Sequence, residues 1–323
     1  MTASAIAVSP DTPGRIRSLN PVRDLPAVAD LVEICFQSTM DRDGKRYLQD
    51  MRRSAENTSF LQWASRTADT ISLPLTGFVW EDGGRIVGNV SLIPYNRRNK
   101  RVFLIANVAT HPEYRRRGIG RLLTDAAMKQ ARNKHADEIW LQVREDNPGA
   151  ITLYEELGFR ELFRRTTYHS SSSAPVLPVA QGIQIRSRRA TDWPRQNTWL
   201  ERLHPQGISW YYSNFWNVFQ PGLMNTLGNF LADINVDHWI ASRGSVMVAA
   251  ASVIYGRDHV DTLWAAASPD GSNDALHALL SRIRSSMSSR RGLLLEYPAH
   301  LSEDAIQAAG FVVHRTLLWM KAD

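Results

Sequence analysis

Cysteine is nearly absent: Cys35 is the only one in 323 residues. An intrachain disulfide is therefore impossible, and a zinc site built on cysteines is excluded. Its neighbours Leu31, Val32, Ile34 and Phe36 mark Cys35 as a buried helical thiol and not a nucleophile. Long apolar runs are missing too. Nothing approaches the ~20 consecutive apolar residues that span a bilayer, and the first fifteen residues lack the hydrophobic core of a signal peptide. The expectation is a soluble, cytoplasmic protein with no membrane partner and no metal.

Charge is unbalanced but not concentrated. With 38 Lys and Arg against 32 Asp and Glu, the net charge is +6. The basic residues fall in short clusters: Arg97, Arg98, Lys100 and Arg101; residues 115–117; Arg164 and Arg165; Arg186, Arg188 and Arg189; Arg290 and Arg291. No helix carries a continuous basic stripe and no nucleic-acid signature is present. The charge therefore reads as solvated surface, or as attraction for an anionic cofactor or acidic acceptor, and argues against a nucleic-acid partner. The length and 43% hydrophobic content suit two domains, each with a real core.

Residues 108–121 read Val-Ala-Thr-His-Pro-Glu-Tyr-Arg-Arg-Arg-Gly-Ile-Gly-Arg. This stretch joins an apolar strand to a helix predicted over 117–135. Gly118 and Gly120 lack side chains and let backbone N–H groups converge at the helix start, a concavity that binds anions. Arg115, Arg116 and Arg117 precede the glycines and Arg121 follows, supplying positive charge. On this stretch alone, a merely solvated basic helix start stays open. It is not a dinucleotide fingerprint, since Leu123 stands where the third glycine belongs. Nor is it a Walker loop, since no Gly-Lys-Ser/Thr follows.

Residues 147–159 read Asn-Pro-Gly-Ala-Ile-Thr-Leu-Tyr-Glu-Glu-Leu-Gly-Phe. Arg-x-x-Gly-x-Gly on a strand-to-helix turn, followed by Asn-x-x-Ala-x-x-x-Tyr-x-x-x-Gly-Phe, resembles the GNAT superfamily of acetyl-CoA-dependent N-acetyltransferases. The resemblance covers residues 15–169. It implies that acetyl-CoA is the co-substrate, with its pyrophosphate in the loop of Arg115, Arg116, Arg117, Gly118, Ile119, Gly120 and Arg121. It further implies that Val108, Ala109 and Thr110 pair with the pantetheine arm like an added strand, that Asn147 lies beside the same arm, and that Tyr154 stands near the sulfur as candidate general acid. The implied reaction is direct transfer of an acetyl group to a primary amine of a small molecule or peptide. The neutral amine attacks, a strand N–H stabilises the oxyanion, and the leaving thiolate takes a proton. The alternative is a non-catalytic acyl-CoA-binding regulatory module.

The base is not legible at this level. Residues 102–109 hold no carboxylate, which leaves Glu81, Glu145 or a water chain, while His111 reads as a determinant of loop shape. The acceptor pocket falls to residues 39–72, which offer both signs of charge (Asp41, Arg42, Asp43, Arg66, Asp69) with Trp63.

Along the chain, residues 1–14 read as a disordered lead-in. Then come a strand at 15–19, a helix at 26–36 with Asp24 as cap, a polar helix at 44–53, and strands at 75–80 and 86–94 around Asp82-Gly83-Gly84. Strand 101–109, the loop helix, strand 138–143, helix 148–157 and strand 160–169 complete a β-α-α-β-β-β-α-β-α-β order. The fold class is α/β (α+β), with a mixed, mostly antiparallel sheet. A serine- and proline-rich linker is expected at 170–180.

Residues 181–323 start the same order again: Ile183-Gln-Ile-Arg-Ser and Asp192 echo Ile16-Arg-Ser and Asp24, and Gly310-Phe311 echoes Gly158-Phe159. Strands are expected at 238–241, 246–255, 260–267, 293–297 and 311–320, and helices at 274–287 and at 302–309 capped by Ser302. The counterpart of the loop, Ser268-Pro-Asp-Gly-Ser-Asn-Asp274, has one glycine, no arginine and two aspartates that would repel phosphates. The reading is two tandem GNAT-type folds, similar to the mycothiol synthase architecture, the second degenerate; the alternative is an unrelated α/β domain. Trp199, Trp210, Tyr211, Tyr212, Phe215, Trp216 and Phe219 form either an acceptor-binding wall or two helices packed on a sheet. Monomer and homodimer both stay open.

Overall fold

Two glycines set the first hairpin. Gly83 and Gly84 take φ of +53° and +81°, the two left-handed residues that a type I′ turn requires and that match the twist of its strands. They join β2 (Gly77–Asp82) to β3 (Arg85–Arg97). The computed structural model describes residues 14–37, 40, 42–56, 74–97, 100–171, 177–178, 180–256, 260–269, 273–286 and 292–323. Residues 1–13 of the lead-in, Arg98, 172–176 of the linker, and Arg290 and Arg291 lie outside the described residues. The described ends of the linker are hydrogen-bonded: Ser171 N donates to Gly310 O at 3.1 Å and Leu177 N to Ala308 O at 2.9 Å.

The chain forms two compact units, three of whose four limits fall inside strands. One comprises Met1–Val143, Asn147–Leu162 and Trp319–Asp323; the other comprises Arg144–Asp146 and Phe163–Leu318.

In the first unit, β1 (Arg15–Ser18) pairs antiparallel with β2, β2 with β3, and β3 with β4 (Lys100–Thr110). Strand β4 then runs parallel to β5 (Glu138–Arg144). A parallel neighbour needs a crossover, supplied by α3 (Ile119–Asn133). Helices α1 (Pro21–Phe36) and α2 (Arg42–Glu56) precede β2, and α4 (Pro148–Glu156) leads into β6 (Phe159–Ser170). Among the described residues this is the element order expected.

Helix α1 starts five residues earlier than its apolar pattern suggested, and Asp24 is not its cap. Asn20 is: its side chain accepts from Val22 N and Arg23 N at 3.1 and 3.3 Å, with Pro21 at the first helical position, where a missing N–H costs nothing. Asp24, 2% exposed, is held by Arg17 through contacts of 2.6 and 3.1 Å and accepts from Asn20 N at 2.8 Å. Leu25, Val28, Ala29 and Val32 form the stripe that α1 buries against Leu48 and Met51 of α2 and against Val79 and Ala109 of the sheet. Each such leucine or valine contributes about 1.5–3 kcal/mol by leaving water.

Among the described residues the second unit repeats the order with a third helix before its second strand: β7 (Ile183–Ser187), α5 (Trp193–Leu203), α6 (Gln206–Trp216), α7 (Leu223–Leu231), β8 (Val236–Arg243), β9 (Val246–Ile254), β10 (Val260–Ala267), α8 (Asn273–Ser286), β11 (Gly292–Pro298), α9 (Glu303–Ala308) and β12 (Phe311–Ala322). Strands β7 to β10 pair antiparallel in sequence order, and β10 runs parallel to β11. Leu276, Leu279, Leu280 and Ile283 of α8 pack on Ala249, Ala251, Val253, Leu263 and Leu295. Ser302 holds the position before α9 in a left-handed conformation and makes no capping bond with its side chain.

The aromatic cluster of this unit is core. Trp199, Trp210, Tyr212 and Phe219 are all buried; the Phe215 side chain lies outside the description. His204 stands 5.2 Å from Trp264 and 5.4 Å from Trp216, ring centre to ring centre. Arg165 Nη2 lies 2.8 Å from His204 Nε2. A guanidinium can only donate, so Nε2 accepts and Nδ1 carries the proton, giving it to Leu200 O at 3.0 Å. Arg165 Nε and the Tyr212 hydroxyl both donate to Glu296.

Burial, with the Arg165 charge adding, lowers the His204 pKa to about 3, and burial lowers that of His238 to about 4. An unfolded histidine titrates near ~6.5. Between these values the unfolded state binds more protons, so stability falls as pH drops from about 6.5 toward 4, by roughly 1.4 kcal/mol per pH unit for each group. Urea unfolding at pH 7, 6 and 5 should show this slope, and His204→Gln, which keeps an acceptor for Arg165, should reduce it.

Candidate active site

The parallel ladder of β4 and β5 is short. It runs from Val102↔Glu138 to Ile105↔Leu141 and stops, although β4 continues to Thr110 and β5 to Arg144. Past Ile105 the two strands part, and the main-chain groups of residues 106–110 on that side have no pairing to β5. An extended ligand could take that edge as an added strand.

A bulge accompanies the parting. Asn89 pairs with Ala109 and Ser91 with Ala106, so Asn107 and Val108 together face Val90. Asn107 takes φ +51°, a conformation that asparagine tolerates better than β-branched residues. Asn89 Nδ2 donates to Asn107 O at 3.0 Å, and Asn107 Nδ2 donates to the Tyr47 hydroxyl at 2.6 Å and Ser91 Oγ at 3.2 Å. Sequence reading passed over Tyr47, Asn89 and Asn107. The one signal was an amide in an otherwise apolar strand.

Beyond Thr110 the chain turns through Pro112–Tyr114. His111 shapes this turn: its N–H donates to Val87 O at 2.8 Å, and its Nδ1 accepts from Glu113 N at 3.4 Å. The Tyr114 hydroxyl donates to Asp82 at 2.8 Å. Arg116 at φ +64° and Gly118 at φ +79° then curve the backbone into α3. No side chain caps α3 and its first turn holds no acid, so the N–H groups of Ile119, Gly120 and Arg121 are left for an anion.

The four arginines differ in their duties. Arg115 Nε donates to Thr110 O at 3.3 Å, which the Cys35 thiol also approaches at 3.2 Å. Arg117 donates to Glu113 O at 3.0 Å and lies 4.9 Å over the Tyr114 ring. Arg121 pairs with Glu156 of α4. Arg116 is exposed and makes no ion pair among the described residues. Cys35 is half-buried rather than fully buried, with a thiol pKa raised by burial.

The loop and α4 meet at Gly120. A Cβ built there would lie 3.7 Å from Leu153 Cδ2 and 3.8 Å from Thr110 Oγ1. Asn147 begins α4 by accepting from Ala150 N at 3.2 Å, which leaves its amide NH₂ for other partners. Tyr154 is 6% exposed, with its ring edge against Phe159 at 6.0 Å. Burial pushes its hydroxyl pKa well above the usual phenol value, so the proton stays on.

Neither candidate base is idle. Glu81 is bound by Arg17, with Arg15 and Arg23 each at 3.7 Å, and Arg17 holds its pKa low. Glu145 pairs with Arg164. Asp41, Trp63, Arg66 and Asp69 of the expected acceptor region lie outside the described residues, as do the side chains of Arg42 and Asp43.

In the second unit the β10–β11 ladder also spans four pairs, Val260↔Gly292 to Leu263↔Leu295. The β9–β10 register, however, runs without a shift. Trp264, just past the ladder, packs against His204, Tyr212 and Phe219. Asp270, Gly271 and Ser272 of the counterpart loop lie outside the described residues.

Residues 32–159 match the family model described as the acetyltransferase (GNAT) family. A [ribosomal protein bS18]-alanine N-acetyltransferase from Salmonella typhimurium is 38% identical over 76 residues, 24% of this chain and 46% of that protein. An N-alpha-acetyltransferase from Saccharolobus solfataricus is 44% identical over 59 residues, 18% of this chain and 35% of that protein. The chain thus spans about half the length, or less, of these curated relatives.

Among solved structures, a GCN5-related N-acetyltransferase from Sphaerobacter thermophilus aligns over 97% of this chain and 96% of its own, with a TM-score of 0.59 and 15% identity. A tandem GNAT protein from the clavulanic acid biosynthesis pathway aligns over 96% and 98%, with a TM-score of 0.54 and 15% identity. Identities this low speak for the fold alone. The family match is confined to residues 32–159, and the chain has the α/β class of the tandem GNAT fold.

The bulge is testable by stability. Asn107→Val should cost about 1–3 kcal/mol, from left-handed strain in a β-branched residue and the lost contacts to Tyr47 and Ser91. Asn107→Gly, free of the strain, should cost less. Denaturant unfolding of the three proteins measures both.

Proposed function

We propose that the chain moves an acetyl group from acetyl-CoA to a primary amine of a small molecule or peptide, with residues 15–169 as the active domain and 181–323 as a degenerate copy. The observation that carries this reading is the parting of β4 from β5 beside a helix start that has neither cap nor acid. Main-chain N–H groups of Ile119, Gly120 and Arg121, with the Arg116 guanidinium, fit a pyrophosphate. The free edge at Val108, Ala109 and Thr110 fits an amide-bearing arm, with Asn147 beside it. The Salmonella typhimurium relative acts, by its name, on an alanine of a ribosomal protein, which favours a peptide or protein amine as acceptor.

The amine lone pair forms the new C–N bond at the thioester carbonyl while an N–H of β4 takes the oxyanion, and the C–S bond then breaks. Tyr154 meets the departing sulfur as a neutral donor. Its raised pKa does not forbid donation, because a thiolate in the same dry pocket is desolvated too, and its proton affinity rises with that of the phenol. The amine proton leaves through water, since Glu81 and Glu145 are both engaged by arginines.

That engagement is also what favours the second reading, a binding module without turnover. Two variants separate the readings. Gly120→Glu places a carboxylate among the N–H groups and should abolish acetyl-CoA binding in a calorimetric titration while leaving the melting temperature in place; unchanged affinity would remove the physical basis of the loop. Tyr154→Phe should keep the affinity and lower the rate of thiol release by roughly 10²–10⁴-fold. Binding with no release on any amine, peptide or protein acceptor supports the module.

A further inference from the structure

Helix α7 is built inside out. Leu223, Met224, Leu227, Phe230 and Leu231 are 90, 82, 51, 78 and 76% exposed. At 100° per residue these five fall within an arc of about 120°, a single apolar face. The opposite face is polar and is the one that holds the helix: Asn225 Nδ2 donates to Gln220 O at 2.7 Å, and Asn229 Nδ2 to Val218 O at 2.8 Å. Surface helices ordinarily turn such a stripe inward. Isolated exposed apolar side chains are common, but five in one uncharged stripe mark an interaction surface.

We infer that this face is where two copies of the chain associate, with α7 packed on its symmetry mate about a two-fold axis. Charge selects against other occupants. Residues 217–237 contain no lysine or arginine and hold Asp233 and Asp237, whereas a helix seated on an anionic lipid surface presents basic residues around its apolar face. A stripe without charge is complementary to itself, which an isologous contact requires. The area is also adequate. Taking roughly 150–250 Å² for a large side chain, the five expose on the order of 700 Å², close to the ~800 Å² per partner of a standard interface.

The test is sedimentation velocity of the full chain from 1 to 100 µM, with and without vesicles of phosphatidylcholine and phosphatidylglycerol. The wild type should move from the 36.5 kDa chain toward twice that mass as concentration rises. Leu223→Glu with Phe230→Glu should stay monomeric at every concentration with the melting temperature unchanged, because both side chains face solvent. Leu223→Ser with Phe230→Ser serves if the charged pair fails to express. A wild type that remains monomeric at 100 µM overturns the proposal, as does a double variant that still dimerises. Co-sedimentation of a monomer with vesicles would overturn it in favour of lipid.

Discussion

Four residue pairs decide the first unit. The β4–β5 ladder holds from Val102 to Ile105 and then lets go, and the helix start, the glycine turn and the approach of α4 are placed around that opening. Parting two strands in a sheet leaves main-chain groups without partners. The bulge meets that cost locally: Asn107 sits in a left-handed conformation that the bonds from Asn89 and to Tyr47 and Ser91 hold in place. A strained residue so thoroughly tied down is the kind that folds keep where a ligand is meant to enter.

The second unit shows what the same ladder becomes without that investment. Its β10–β11 pairing is also four residues long, yet the neighbouring register runs on without a bulge. Trp264 fills space against His204, Tyr212 and Phe219, and Arg165, Glu296 and Tyr212 satisfy one another in the interior. The strand parting of one unit and the aromatic packing of the other thus follow ladders of the same length in the element order.

Much of this was legible in local sequence. Glycine pairs announced the hairpin, Arg-x-x-Gly-x-Gly announced the helix start, and the Asn-to-Phe motif singled out Tyr154. What local pattern missed was set by distant partners. Asp24 looks like a cap but is claimed by Arg17, which left Asn20 the capping role. Four loop arginines look alike in sequence. Only the fold assigns Arg115 to Thr110, Arg117 to Tyr114 and Arg121 to Glu156, leaving Arg116 toward solvent. Asn107 was invisible because its conformation depends on Tyr47, sixty residues away.

The last five residues carry a consequence for biosynthesis. Trp319–Asp323 belong to the first unit: Trp319 stands edge-on to the buried Trp140 at 6.4 Å, Lys321 lies 5.8 Å over the same ring, and Asp323 pairs with Arg160. A ribosome that has finished residue 169 has therefore not finished the first unit. Trp140 stays uncovered while some 150 further residues are made, and the unit that begins first is the one completed last. Cutting the chain in the serine-rich stretch would release not a free-standing module but a sheet short of one strand.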